Sequence, residues 1–155
     1  MKWCVGMALL GLITAAGCTR ASDSSGGEDP RLVAEEIERW RGRWRCIERN
    51  EEGELVPEEE IALIKLTVGG TIYHFEWGDD FDEMGRYAFY PSRNPKQVDV
   101  LIESPPEMAG RVLHLIYKIE GNELTLAHRE DGSLPTDFSA EPDSGQTEEF
   151  WKKIE

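Results

Sequence analysis

Cysteine and positive charge are what this chain has least of. Only three cysteines occur in 155 residues. Cys4 falls in an N-terminal apolar segment expected to be removed and Cys18 is expected to carry lipid, so Cys46 is left without a partner. A framework of intramolecular disulfides is thereby excluded, and a packed core has to hold the fold. Cys46 lies in a strand pattern, where a small buried hydrophobe is expected rather than a reactive thiol. Basic residues number 17 against 31 acidic ones, a formal net charge of −14. That balance opposes nucleic-acid binding, which relies on Lys and Arg to neutralise phosphates. Long apolar runs are scarce too. The one present, from Trp3 to Ala16, is too short to span a bilayer.

Signatures of chemistry are also missing. By strand alternation His74 and His114 point outward and His128 inward, with no His-x-His or Cys-x-x-Cys spacing to gather a zinc ion. Asp79-Asp80-Phe81-Asp82-Glu83 is rich in carboxylates but lacks the twelve-residue calcium-loop pattern and its glycine. Ser104, Ser133, Ser139 and Ser144 fall in loops without a Gly-x-Ser-x-Gly elbow. The expectation is a protein without catalytic residues, metal or cofactor.

What is present begins with an address. Met1-Lys2 gives a weakly positive start, an apolar stretch follows, and Ala15-Ala16-Gly17-Cys18 resembles a bacterial lipobox. Residues 1–17 then read as a lipoprotein-type signal peptide and Cys18 as the lipidation site. An ordinary signal peptide cut nearby is the other reading, and either one exports the chain. The protein is expected in the cell envelope, facing the periplasm and favouring the outer membrane. Residues 18–28 are rich in Ser and Gly and read as a flexible tether.

Residues 29–155 read as one domain. Asp29-Pro30 starts a helix well, because Asp accepts from free N–H groups and Pro loses no hydrogen bond there. Leu32, Val33, Ile37 and Trp40 form its apolar face, and Gly42 follows its end. From there the period changes to two. Strands are expected over 43–49, 62–68, 71–77, 85–90, 97–103, 111–120, 123–129 and 147–154, with a helical turn after Pro57. Short strands in sequence order without crossover helices suit an all-β, eight-stranded, up-and-down antiparallel barrel with one short N-terminal helix.

Gly42-Arg43-Trp44 at the head of the first strand matches the G-x-W of lipocalin-like barrels. Further stretches are Val56-Pro57-Glu58-Glu59, Asn94-Pro95-Lys96-Gln97-Val98-Asp99, Ile116 through Leu124, Pro135-Thr136-Asp137-Phe138 and Pro142-Asp143-Ser144-Gly145-Gln146. With these, residues 32–154 resemble an uncharacterised lipocalin-like domain family abundant in planctomycete bacteria. The resemblance implies the barrel and carries over no activity.

In such a meander alternate loops share an end. Loops 50–60, 78–84, 104–110 and 130–146 form one mouth and hold sixteen acidic residues with no Lys or Arg. The tight turns gather Arg41, Arg43, Arg45, Arg93, Lys96, Lys152 and Lys153 at the other end. Trp44 is expected to close that end beneath a lysine of the last strand, Lys152 or Lys153. Tyr73, Phe75, Trp77, Tyr87, Phe89, Leu115 and Tyr117 are expected to line the interior, with Phe138 as a lid supported by Leu134. Eight strands leave an interior that side chains fill or that holds one small ligand. The leading expectation is a non-catalytic envelope protein binding a small apolar or cationic-amphipathic molecule. The alternative is a filled barrel that recruits a partner through its acidic loops.

If Cys18 carries lipid, the protein expressed with its leader in a bacterial host should partition with membranes. Cys18→Ser should release or misprocess it, and a mature chain with an unmodified N-terminus other than Cys18 would contradict the assignment.

Overall fold

A strand that is apolar on one face needs a cover for that face, and a sheet closed on itself supplies one while leaving no open edge. The computed structural model describes residues 27–155. The leader, Cys18 and the tether as far as residue 26 lie outside the described residues. Helix α1 (Pro30–Trp40) precedes β1 (Gly42–Glu51), β2 (Glu54–Leu55) and a single helical turn, α2 (Glu58–Ile61). Then come β3 (Ile64–Gly69), β4 (Ile72–Trp77), β5 (Phe81–Tyr90), β6 (Lys96–Ser104), β7 (Val112–Glu120), β8 (Glu123–Arg129) and β9 (Gln146–Lys153). Apart from the two-residue β2, the strands pair antiparallel in sequence order, and β1 pairs with β9 to complete the ring. The protein is a closed eight-stranded up-and-down barrel with one added short strand and a short helix.

Alternation identified the inward face of most strands. Tyr73, Tyr87, Phe89, Val98, Val100, Ile102, Leu115, Tyr117, Ile119, Leu124 and Leu126 are all buried. In β9, Trp151 faces inward while Phe150 is half-buried and Ile154 exposed. The second barrel strand, β3, starts later than expected, because α2 uses residues through Ile61 and its cap falls on Ala62. Ala62 is consequently exposed, and Ile61 takes its place in the core. The fourth barrel strand starts earlier, at Phe81, so Asp82 and Glu83 lie on a strand rather than in a mouth loop. Glu28, expected in the tether, is docked: its carboxylate accepts from the Ser92 backbone N–H (3.1 Å) and hydroxyl (2.8 Å).

The closed end is a plug. Asp29 caps α1 by accepting from the Arg31 N–H, and Pro30 occupies the first turn. Of the expected apolar face, Trp40 is buried and Val33 and Ile37 pack partly buried against the core, while Leu32 is exposed and the charged Glu36 is buried beside them. Trp40 is fully buried, with its ring edge-on to Tyr87, Phe89 and Tyr117 at centroid distances of 5.1, 5.2 and 5.1 Å. Such pairs contribute about 0.5–1.5 kcal/mol each beyond the area they bury. Glu36 survives burial because the Tyr117 hydroxyl (3.1 Å), the Arg39 guanidinium (3.0 Å) and the Lys96 ammonium all donate to it.

Trp44 completes the seal. Its indole N–H donates to the Trp40 carbonyl at 2.8 Å, which occupies an acceptor freed at the helix end. The expected basic side chain is Lys153, whose Nζ lies 5.0 Å from the ring and donates to the Arg39 carbonyl at 2.9 Å. Lys152 is not the partner; it is exposed on the outer face. Alternation explains the choice, since Lys153 shares the inward face of Trp151. Gly42 has a φ of +133°, and a Cβ there would lie 2.3 Å from the Glu155 carbonyl oxygen. Only glycine allows the chain ends to cross so closely.

Trp44→Ala should lower stability by about 3–5 kcal/mol, the usual cost of truncating a buried aromatic. Denaturant unfolding checks this, and a loss below about 1 kcal/mol would show that the seal is dispensable.

Candidate ligand-binding cavity

The aromatic rings do not fill the barrel. A cavity of about 400 Å³ remains in its upper half, bounded by side chains of the barrel strands and by Met108 from loop 105–111. Of the residues expected to line a pocket, Tyr73, Phe75, Trp77, Tyr87 and Leu115 do so. Phe89 and Tyr117 do not: they pack on Trp40 below and belong to the floor. Phe138 is not a lid either. It is half-buried outside the cavity lining, and Leu134 is exposed. Loop 130–145 is ordered by its own packing, with Pro135 and Ala140 buried. The Gln146 amide holds it by donating to the Asp137 and Ser139 carbonyls at 2.8 and 2.9 Å. The residues expected at the closed end, Gly42 and Trp44, are found there.

The wall also carries charges that alternation had not placed inside. Between Cys46 and Glu48 the β1–β9 register slips: Cys46 faces Trp151, then Glu48 faces Phe150. Ile47 is the extra residue of this β-bulge, and the strand beyond it presents its opposite face. Arg49 is thereby turned inward opposite Glu149. Its guanidinium pairs with Glu149 and, through Nε at 2.6 Å, with Glu51; it also lies 5.1 Å from the centre of the Trp77 ring. Burial works against the Arg49 charge, but Glu149 and Glu51 more than restore it, so its pKa is raised. The other Glu149 oxygen accepts from the Trp151 indole N–H at 3.0 Å. His128 stands 4.0 Å from Glu149, and burial lowers its pKa, which favours the neutral imidazole. Burial likewise pushes the Cys46 thiol up to about 12, as befits an inert core side chain.

Glu83 is the second inward acid. It sits on the same alternation as Tyr87 and Phe89, and carrying that period two residues further back along the sequence would have found it. Its Oε1 accepts from the Tyr73 hydroxyl at 2.8 Å. Burial raises its pKa, while the Tyr73 hydrogen bond and the charge of Arg111 oppose the rise. Gly85 makes this arrangement possible. A Cβ there would sit 2.0 Å from the Leu101 oxygen and 2.9 Å from the Tyr73 ring.

An acidic depression of about 520 Å³ adjoins the cavity and shares Trp77 with it. Glu51, Glu52, Glu54, Glu60, Glu130 and Asp143 surround it. The mouth is not devoid of cations, however. Arg49 reaches it from β1, Arg111 precedes β7 rather than opening it, and Arg129 lies 3.7 Å from Asp131. The Asp79–Glu83 run does not converge, since Glu83 points inward while Asp82 pairs outside with His74 at 2.8 Å. His114 pairs with Asp99 at 2.6 Å. Among the described residues no group of three or more His, Cys, Asp or Glu is placed to hold a metal ion.

Fold and cavity together define a closed antiparallel barrel with one sealed end and one open, aromatic-walled end. No protein-family model, curated protein or solved structure matches the chain.

Removing one partner of a buried ion pair is far more damaging than removing both. Arg49→Met should therefore cost about 3–5 kcal/mol, because Glu149 keeps its burial and loses its cation. Arg49→Met with Glu149→Gln should recover more than half of that loss while retaining an acceptor for Trp151. Equal destabilisation of the single and double variants in urea unfolding would contradict the pairing.

Proposed function

We propose that this is a non-catalytic, lipid-anchored envelope protein that holds a small apolar or cationic-amphipathic molecule in a lipocalin-like barrel. The observation that carries the reading is the cavity of about 400 Å³, walled by aromatic rings and open beside an acid-ringed depression. Ligand cavities are commonly about 300–1,000 Å³ and mainly apolar with a few fixed polar groups. An unfilled interior favours a binder over a module that works only through its loops. The interior polar groups are tied largely to one another, Arg49 to Glu149 and Tyr73 to Glu83, as suits a container rather than a reaction centre.

The lipid anchor on Cys18 rests on the lipobox-like run, and the docking of Glu28 bears on its geometry. Glu28 binds the 91–95 turn, which belongs to the sealed end. A tether from Cys18 would leave the domain there, holding the sealed end toward the membrane and the mouth toward the periplasm.

A neutral fluorescent probe such as N-phenylnaphthylamine should be taken up by the purified barrel with enhanced emission. Leu115→Trp, which adds bulk to the cavity wall, should lower its affinity by about tenfold or more. Unchanged uptake in a folded Leu115→Trp protein, judged by its near-ultraviolet dichroism, would place the probe elsewhere and remove the support for a binding cavity.

A further inference from the structure

Four ionisable groups other than tyrosine line the cavity: Arg49, Glu83, His128 and Glu149. The one fixed cation is engaged. Arg49 is shared by Glu149 and Glu51, and both Glu149 oxygens have donors, from Arg49 and from the Trp151 indole. Glu83 is different. It is 8% exposed, its Oε1 accepts from Tyr73, and among the described residues no donor reaches Oε2. Tyr87, another cavity-lining residue, is 8% exposed, and among the described residues its hydroxyl makes no hydrogen bond either. A carboxylate on a largely buried, cavity-lining residue that lacks a donor on one oxygen gains more from an arriving donor than a fully hydrated one does. Aromatic faces surround it: Tyr73 and Tyr87 stack at 4.8 Å, and Phe75 and Phe81 meet edge to face at 6.0 Å.

The three charge classes of ligand fare differently in such a site. An anion would join Glu83 and Glu149 in a low-dielectric space whose guanidinium is already paired, after passing the acidic depression. A neutral apolar molecule would fill the volume and leave Oε2 without a donor. A protonated amine supplies that donor, balances the carboxylate and sits well against aromatic faces. We propose that the ligand is a compact protonated amine with an apolar body, its ammonium on Glu83 Oε2 and its body among Tyr73, Phe75, Phe81 and Tyr87. This rests on the reading of the barrel as a binding protein and narrows it to one chemical class. The acidic depression beside Trp77 then raises the local concentration of the same cation at the entrance.

Calorimetric titration with three probes of one shape, naphthylethylamine, naphthylethanol and naphthylacetate, separates the possibilities. The amine should bind about tenfold or more tighter than the alcohol, as expected for one charge-assisted hydrogen bond, and the acid weakest of all. In Glu83→Gln the ratio of amine to alcohol affinity should fall to about one. Tyr73→Phe, which strips the donor from Oε1 and leaves the carboxylate, should keep the amine preference. Equal binding of amine and alcohol by the native protein would overturn the amine assignment and leave the binding reading standing. A preference that survives Glu83→Gln, or is lost in Tyr73→Phe, would overturn Glu83 as the anchor. Failure of all three probes to bind would sink both readings together.

Discussion

Everything above the barrel floor depends on how β1 meets β9. That pairing closes the sheet, and the bulge within it sets what the closed sheet contains. Up to Cys46 the two strands place Trp44, Cys46 and Trp151 inside, the first closing the floor and the last reaching the cavity wall. One extra residue, Ile47, then reverses the inward face of β1 and sets Arg49 against Glu149. Without the reversal Glu149 would be a buried charge with no cation, which a barrel of this size could not sustain. The same strand therefore builds an apolar seam below and a polar wall above.

The two ends of the barrel differ as a consequence of packing. At the sealed end α1 enters the ring, Trp40 fills it, and buried Glu36 is met by donors from Arg39, Lys96 and Tyr117. Several basic residues that gather there are paired locally, Arg41 with Glu38 and Arg43 with Glu155. At the open end aromatic rings wall the cavity, Phe75 meeting Trp151 edge to face at 6.2 Å without filling it, and acidic side chains surround the entrance. A floor that is rigid and internally neutralised beneath a mouth that remains negative is an arrangement suited to admitting a cation and holding its apolar part. On the proposed reading, the oxygen of Glu83 that lacks a donor is where such a cation would attach.

Much of the barrel was legible because period-two alternation and turn residues both report the backbone directly. Trp44 and its lysine followed from topology, and Lys153 rather than Lys152 follows once Trp151 fixes the inward face of β9. Tyr73, Phe75, Trp77, Tyr87 and Leu115 were found for the same reason. Phe89 and Tyr117 were misplaced because alternation gives a face and not a height, and their height puts them against Trp40. Arg49 was hidden by the bulge, which inverts the pattern without leaving a glycine or proline to mark it. Glu83 was overlooked because a carboxylate after Asp79-Asp80 reads as a solvated turn. Phe138 shows the limit of loop reasoning: a lone aromatic in a long loop has to pack somewhere, and the sequence does not say on which side of the wall.

The central claim is that the upper half of the barrel exists to be occupied. Native mass spectrometry of the protein purified from its own host tests it most directly, because a retained molecule adds mass to the folded chain. The account predicts a discrete small-molecule adduct on the native protein that is lost on denaturation and absent from Leu115→Trp prepared in the same way. A native protein that carries no such mass, or one whose adduct persists unchanged in Leu115→Trp, would contradict it.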